Sequence, residues 1–307
     1  MKINAYAKIN LRLRVLGRRA DGFHELENYM QAVSLHDDVD VQWLPGGSCF
    51  DVELSIQGEN GEASPLPCGE SNLAYRAATL VRERFGADRC GLLKIGIVKR
   101  IPIAAGLAGG SADGAAVLTA LKTLWDLSEA QLLPIAADLG SDVPFSFMAQ
   151  NGMAAAIGRG RGTELEEADP IRSVIVLYNP GYGVSTPAVY RAWDELDAAR
   201  TNAGAQSGRP ALSFETPGGP EGSDAVTKKN FFNDLQAPAL FIEPRIRECL
   251  DRLGALEPAP QHVQLSGSGP TVFALYPENT DVEIIKKGLQ RTAPRAIIVE
   301  PLRKIHL

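Results

Sequence analysis

The sequence predicts two domains of mixed helices and strands, and three observations predict them. The chain has 307 residues, long for a single hydrophobic core. Hydrophobic residues make up 45% and charged residues 22%, the proportions of an ordinary globular protein. Stretches of two-residue apolar alternation also recur between stretches with helical spacing, in both halves of the chain. The expected division is 1–165 and 166–307, with the second half opening on a strand just after residue 170.

In order, residues 7–15 alternate. Ile9, Leu11, Leu13 and Val15 fall on one face and Lys8, Asn10, Arg12 and Arg14 on the other, so a half-buried strand is expected with Lys8 beside Asn10. A turn follows at Ala20-Asp21-Gly22. Residues 38–43 and 50–56 read as strands paired across a Pro-Gly-Gly loop. Residues 72–86 read as a helix with Ser71 as N-cap and Gly86 past its end, and 92–98 as a strand. A glycine-rich stretch then leads into a helix starting at Ser111.

Ser128-Glu129-Ala130-Gln131 is a capping-box pattern, and its helix should close near Gly140 despite Pro134. Gly140–Pro144 reads as a loop. The second half carries strands at 173–178, 271–276 and 296–299, helices at 236–254 and 281–291, and a Gly-rich turn at 266–269. Residues 201–228, rich in Gly, Ala, Ser and Pro, read as a flexible insertion of no assigned role.

A net charge of −6 argues against a nucleic-acid or anionic-membrane partner, although one cleft can still gather Lys and Arg. Cys49, Cys68, Cys90 and Cys249 form neither a CxxC pair nor a zinc pattern. The first 15 residues lack an apolar signal core, since Asn and Arg interrupt them. A cytoplasmic protein is expected. Nothing in the sequence indicates an oligomeric state.

Three features could carry chemistry. Gly106, Gly109, Gly110 and Ser111 precede a helix, where backbone N–H groups and the helix dipole can hold an anion. A tight strand-to-helix turn explains the same glycines equally well, and the pattern is neither the P-loop motif nor GxGxxG. Asp142, between Gly140 and Pro144, could accept a proton from a hydroxyl or could simply close an Asx turn. Lys8 could lie over an anionic site, or be one more solvated strand lysine.

Taken together, the motifs resemble the GHMP kinase superfamily. They are Ala7-Lys8-Ile9-Asn10-Leu11, Arg19–His24, Pro102–Ser111, Leu139–Pro144 and Leu265–Pro270, in that order over residues 7 to 273. The resemblance implies an α+β fold of two domains, the first like a ribosomal-protein domain and the second ferredoxin-like. It implies phosphoryl transfer from ATP, accompanied by Mg²⁺, to the 2-hydroxyl of a cytidine diphosphate sugar alcohol of non-mevalonate isoprenoid synthesis.

ATP phosphates would lie on Pro102-Ile103-Ala104-Ala105-Gly106-Leu107-Ala108-Gly109-Gly110-Ser111-Ala112. Lys99 and Asn72 match positions near its adenosine half. Asp142 matches the catalytic base and Lys8 its cationic partner. Asn10, Thr186 and His24 match substrate contacts, His24 at the cytosine edge, and Phe23 and Tyr190 match the aromatic pair around the cytosine ring. No carboxylate ligand for the metal is implied; Ser111 is the one oxygen offered.

The chain departs from the family pattern in places. Alanines stand at 104, 105 and 108 where relatives often carry glycine, Phe23 replaces a common Tyr, and Gln236 stands where an acidic residue is usual. Two other functions compete: a mevalonate, homoserine or sugar kinase of the same superfamily, and a non-catalytic nucleotide-binding regulator.

Overall fold

A computed structural model describes residues 1–202 and 231–303. The first half runs β1 (Lys2–Arg18), β2 (His24–Pro45), β3 (Phe50–Gly58), α1 (Leu73–Phe85), β4 (Gly91–Lys99), α2 (Gly109–Leu124), α3 (Glu129–Leu139), α4 (Val143–Gln150), β5 (Ala155–Gly160) and β6 (Glu164–Glu167). The second half runs β7 (Ser173–Tyr178), α5 (Thr186–Asn202), β8 (Phe232–Asn233), α6 (Gln236–Ile242), α7 (Ile246–Gly254), β9 (His262–Leu265), β10 (Val272–Pro277), α8 (Val282–Thr292) and β11 (Ile297–Val299). Of the expected insertion, residues 201 and 202 end α5 and 203–228 lie outside the described residues.

One sheet has the order β3-β4-β2-β1-β8, with β5 pairing the first part of β2 and β6 pairing β5. The other has the order β11-β7-β10-β9. This is an α+β fold. Helices α1–α4 cover the first sheet, and the Ala-rich α2 is buried along Ala112–Leu121, so its sides meet sheet and helices alike. Helices α5–α8 pack with the second sheet around Val176, Leu253, Val272 and Tyr276.

Several expected elements differ. The strands at 38–43 and 50–56 do not pair, because β4 lies between them, antiparallel to β2 and parallel to β3. The N-cap of α1 is Asn72, not Ser71: its side chain accepts from the Ala74 amide. Helix α2 starts at Gly109, so Ser111 is inside its first turn. The region 236–254 is two helices, since Pro244 keeps the residue before it out of the helical region. The Gly140–Pro144 loop stops at Asp142, where α4 begins. Gly140 does close α3, and the Ser128 capping box is formed.

Strand β1 is not half-buried. Lys8, Asn10, Arg12 and Arg14 are as enclosed as the apolar residues between them. A register shift between Asn10 and Arg12 bends the strand. Ile9 and Leu11 enter the core under α2, while Leu13 and Val15 enter the core of the second half. The shift carries Arg12 and Arg14 to the opposite side of the strand from Lys8 and Asn10, and it is Lys8 and Asn10 that face Asp142 and Ser266.

Candidate active site

The segment after β4 is built to expose backbone N–H groups. Ala104, Gly106 and Ala108 have φ of 53°, 75° and 60°, and Ala105 and Leu107 between them do not share that hand. Alternation of this kind turns successive amides toward one side and makes an anion-binding concavity. The N-terminus of α2 adds its dipole to that side. At Gly106 a Cβ would stand 2.6 Å from the Ser266 carbonyl and 2.9 Å from that of Gly269, so only glycine fits.

The loop is tied down at both ends. The Lys8 amide donates to Leu107 O (3.1 Å), Thr271 N to Ala105 O (3.2 Å), and Ser266 Oγ to Gly106 O (3.1 Å). At its entry, Asp37 Oδ1 accepts from the amides of Arg100 (2.5 Å) and Ile101 (2.8 Å). Lys99 Nζ joins Asp37 Oδ2 (2.5 Å) to Asp113 Oδ2 (2.7 Å), all three groups nearly enclosed. Burial works against the Lys99 ammonium, but Asp113 and Asp37 together raise its pKa. Burial pushes the Asp113 carboxyl up to about 7, against the pull of Lys99.

Asp142 stands at the N-cap of α4, yet its side chain caps no amide. Its Oδ2 lies 3.4 Å from Lys8 Nζ instead, with the lysine side chain 6% and the aspartate 35% exposed. Lys8 Nζ also donates to Asn10 Oδ1 (2.8 Å), and Asn10 Nδ2 to Asn28 Oδ1 (2.9 Å). The Asp142 carboxylate thus faces the enclosed Lys8 side chain in the cleft and not the amides of its own helix. The Asx-turn alternative for Asp142 is not what the side chain does.

The other end of the cleft is aromatic. The turn 19–23 is held by Asp21 Oδ1 accepting from the Phe23 amide (3.1 Å), with Gly22 at φ 86°. Phe23 is 49% exposed, and the Arg161 guanidinium lies 4.7 Å from its ring centre. His24 stacks on Tyr190 at 4.6 Å and 27°. Burial, then the nearby Asp142 carboxylate, raises the Tyr190 phenol above its ordinary range. One cleft of about 790 Å³ joins these groups to the glycine loop.

The family model for the GHMP kinases N terminal domain matches residues 72–150, and that for the GHMP kinases C terminal matches 224–295. A Moorella thermoacetica protein named 4-diphosphocytidyl-2-C-methyl-D-erythritol kinase is 37% identical over 305 residues, covering 98% of this chain and 99% of that protein. The chain belongs to the GHMP kinases.

Among solved structures, one titled as 4-(cytidine 5'-diphospho)-2C-methyl-D-erythritol kinase aligns with a TM-score of 0.69 and 32% identity. It covers 97% of this chain and 98% of its own. A homoserine kinase from Cytophaga hutchinsonii aligns with a TM-score of 0.65, over 99% of this chain and 95% of its own. At 14% identity it shows the shared fold alone.

In this GHMP kinase the cleft brings together Lys8, Asn10, Phe23, His24, Lys99, Asp142, Thr186 and Tyr190 with most of Pro102–Ser111. Leu107 and Ala112 are core residues whose side chains do not face it. Asn72 stands just behind the cleft-lining Leu73, its amide group bonded to Ala74 N and Pro67 O. Thr186 Oγ1 is 2.7 Å from Ser268 Oγ, tying α5 to the 265–270 turn. Gln236 supplies an oxygen acceptor at its position: its Oε1 takes the Leu265 amide (2.9 Å).

Residues that sequence reasoning missed also line the cleft or brace it: Arg18, Arg161, Arg191 and Asp194 in the lining, and Asp37, Asp113 and Ser266 behind it. Ser266 lay in a quoted motif; the others had no local signal. Among the described residues no group of three His, Cys, Asp or Glu side chains is placed to hold a metal. No described helix is long and apolar enough to cross a membrane.

Proposed function

We propose that this GHMP kinase transfers the γ-phosphoryl group of ATP to the 2-hydroxyl of 4-diphosphocytidyl-2-C-methyl-D-erythritol, giving the 2-phosphate and ADP. The likeness to kinases of that name over nearly the whole chain supports the substrate. One observation in the structure carries the chemistry: the uncapped Asp142 carboxylate stands 3.4 Å from the enclosed Lys8, in the cleft that joins the glycine loop to the aromatic end.

In this reading the loop amides and the N-terminus of α2 hold the phosphates, and the cytosine ring lies at Phe23 and Tyr190. The diphosphate between base and acceptor carbon meets Arg161, whose guanidinium lies over the Phe23 ring and lines the same cleft as Ser141 and Asp142. Asp142 takes the proton as the 2-hydroxyl oxygen bonds to the γ-phosphorus and the bond to the β-phosphate bridging oxygen breaks. Lys8 and the loop amides stabilise the charge on the transferring group, and no phospho-enzyme forms.

Mg²⁺ enters as part of the nucleotide substrate. Such ions are held largely by substrate phosphates and water, with one or two protein oxygens. The Asp142 carboxylate and the Ser111 hydroxyl are oxygens of that kind beside the loop. We assign the loop and Asp142 to a domain of residues 1–165, and Thr186, Tyr190 and the 265–270 turn to one of residues 166–307. Free Cys49, Cys68, Cys90 and Cys249 fit a reducing compartment such as the cytoplasm.

A coupled ADP-release assay of the pure protein tests the substrate, run with 4-diphosphocytidyl-2-C-methyl-D-erythritol, mevalonate, homoserine and galactose. Turnover is expected with the first alone. Turnover with mevalonate or homoserine instead overturns the reading.

A further inference from the structure

We propose that Asp194 sets the base specificity of the cleft by fixing the tautomer of His24. His24, at the start of β2, lines the cleft with its side chain only 9% exposed. Its Nε2 lies 2.7 Å from Asp194 Oδ1, on α5. An ionised carboxylate only accepts hydrogen bonds, so the Nε2 proton is committed to that contact. The neutral ring then has a bare Nδ1, and no described residue donates to it.

The ring cannot readily turn to exchange its nitrogens. Tyr190 covers one face at 4.6 Å, and Trp193 meets it edge-on at 5.7 Å with an angle of 85°. The second oxygen of Asp194 faces Arg18 Nη1 at 3.9 Å, which restrains the carboxylate as well. The imidazole is therefore presented as a hydrogen-bond acceptor.

Such an acceptor matches the 4-amino group of cytosine. The 4-oxygen of uracil in the same place would set two lone pairs against each other, with no proton between them. Asp194 acts here as a positioning residue, and the inference rests on the cytidine reading above. An amide at 194 can either accept from Nε2–H or donate to a bare Nε2, so it frees the tautomer without removing the side chain.

Calorimetric titration of wild type and Asp194→Asn with CDP and with UDP tests the proposal without using turnover. Wild type is expected to bind CDP at least tenfold more tightly than UDP. In Asp194→Asn that ratio should fall about tenfold, partly through a gain in UDP affinity, while ATP affinity is held. A merely structural role predicts instead that both pyrimidine nucleotides weaken together, and that result overturns the proposal. So does a wild type that binds CDP and UDP alike. Discrimination for CDP without turnover of the cytidine substrate would leave the tautomer role standing and overturn the kinase substrate instead.

Discussion

Lys8 Nζ and Asp142 Oδ2 stand 3.4 Å apart, the first on a central strand and the second at the start of a helix 134 residues later in the chain (142 − 8). The lysine is turned inward from its strand, where it also donates to Asn10 Oδ1 (2.8 Å), and the aspartate leaves its helix uncapped. Asp142→Asn keeps the shape and removes the proton acceptor. Turnover should fall by about 10²–10⁴ with ATP affinity retained. Near-normal turnover in that variant would remove Asp142 from the role.

The glycines of the phosphate loop are not equivalent. A Cβ at Gly106 meets two backbone carbonyls at a φ of +75°, while one at Gly110 meets nothing within 4 Å. Gly106→Ala is expected to destabilise the fold by about 2 kcal/mol or more. Gly110→Ala should melt like wild type but raise the KM for ATP, since Gly110 lines the cleft. Equal melting temperatures for the two variants would contradict this account of the loop.

Ala108 occupies the left-handed region at φ 60°, where a side chain costs about 1–2 kcal/mol. Glycine removes that strain but adds about 0.4–1 kcal/mol of unfolded-state entropy. Ala108→Gly should therefore stabilise modestly, by about 0.5–1 kcal/mol. Denaturant titration measures it, and a loss of stability would count against strain at this position.

Asp113 titrates at about 7 in the fold against 3.8 when unfolded. The native state then binds the extra proton, so the stability it contributes is full below about pH 4 and is lost as pH rises through about 7. Asp113→Asn cannot titrate. The melting temperature of wild type minus that of the variant should be larger at pH 5 than at pH 8, and a flat difference would refute the shift.

The glycine loop, Lys8 and Asp142 were visible in the sequence as candidates, each open to a plainer reading alone and singled out only when the ordered motifs were taken together. The alternation of β1 gave its strand, but periodicity alone could not say that the polar side would be buried as well. Arg161, Asp194, Asp37 and Asp113 were not legible. They carry no local signature, and their partners lie far away: His24 and Asp194 are 170 positions apart and Lys99 and Asp37 are 62. The swap of β3 and β4 was hidden for the same reason, since pairing is decided across the sheet rather than along the chain.

By itself the sequence determined part of the local chemistry: strands such as β1, β7 and β10, the capped helix α3, and which residue types can hold phosphate or accept a proton. Dihedral preference, capping and hydrophobic period act over a few residues, so a short stretch suffices to read them. Only the tertiary structure decided what those groups face. Burial of the polar side of β1 put Lys8 against Asp142, and packing of α5 beside β2 put Asp194 against His24. The first pairing forms within the first half of the chain and the second where the two halves close on each other, and contacts of that range exist only in the folded protein.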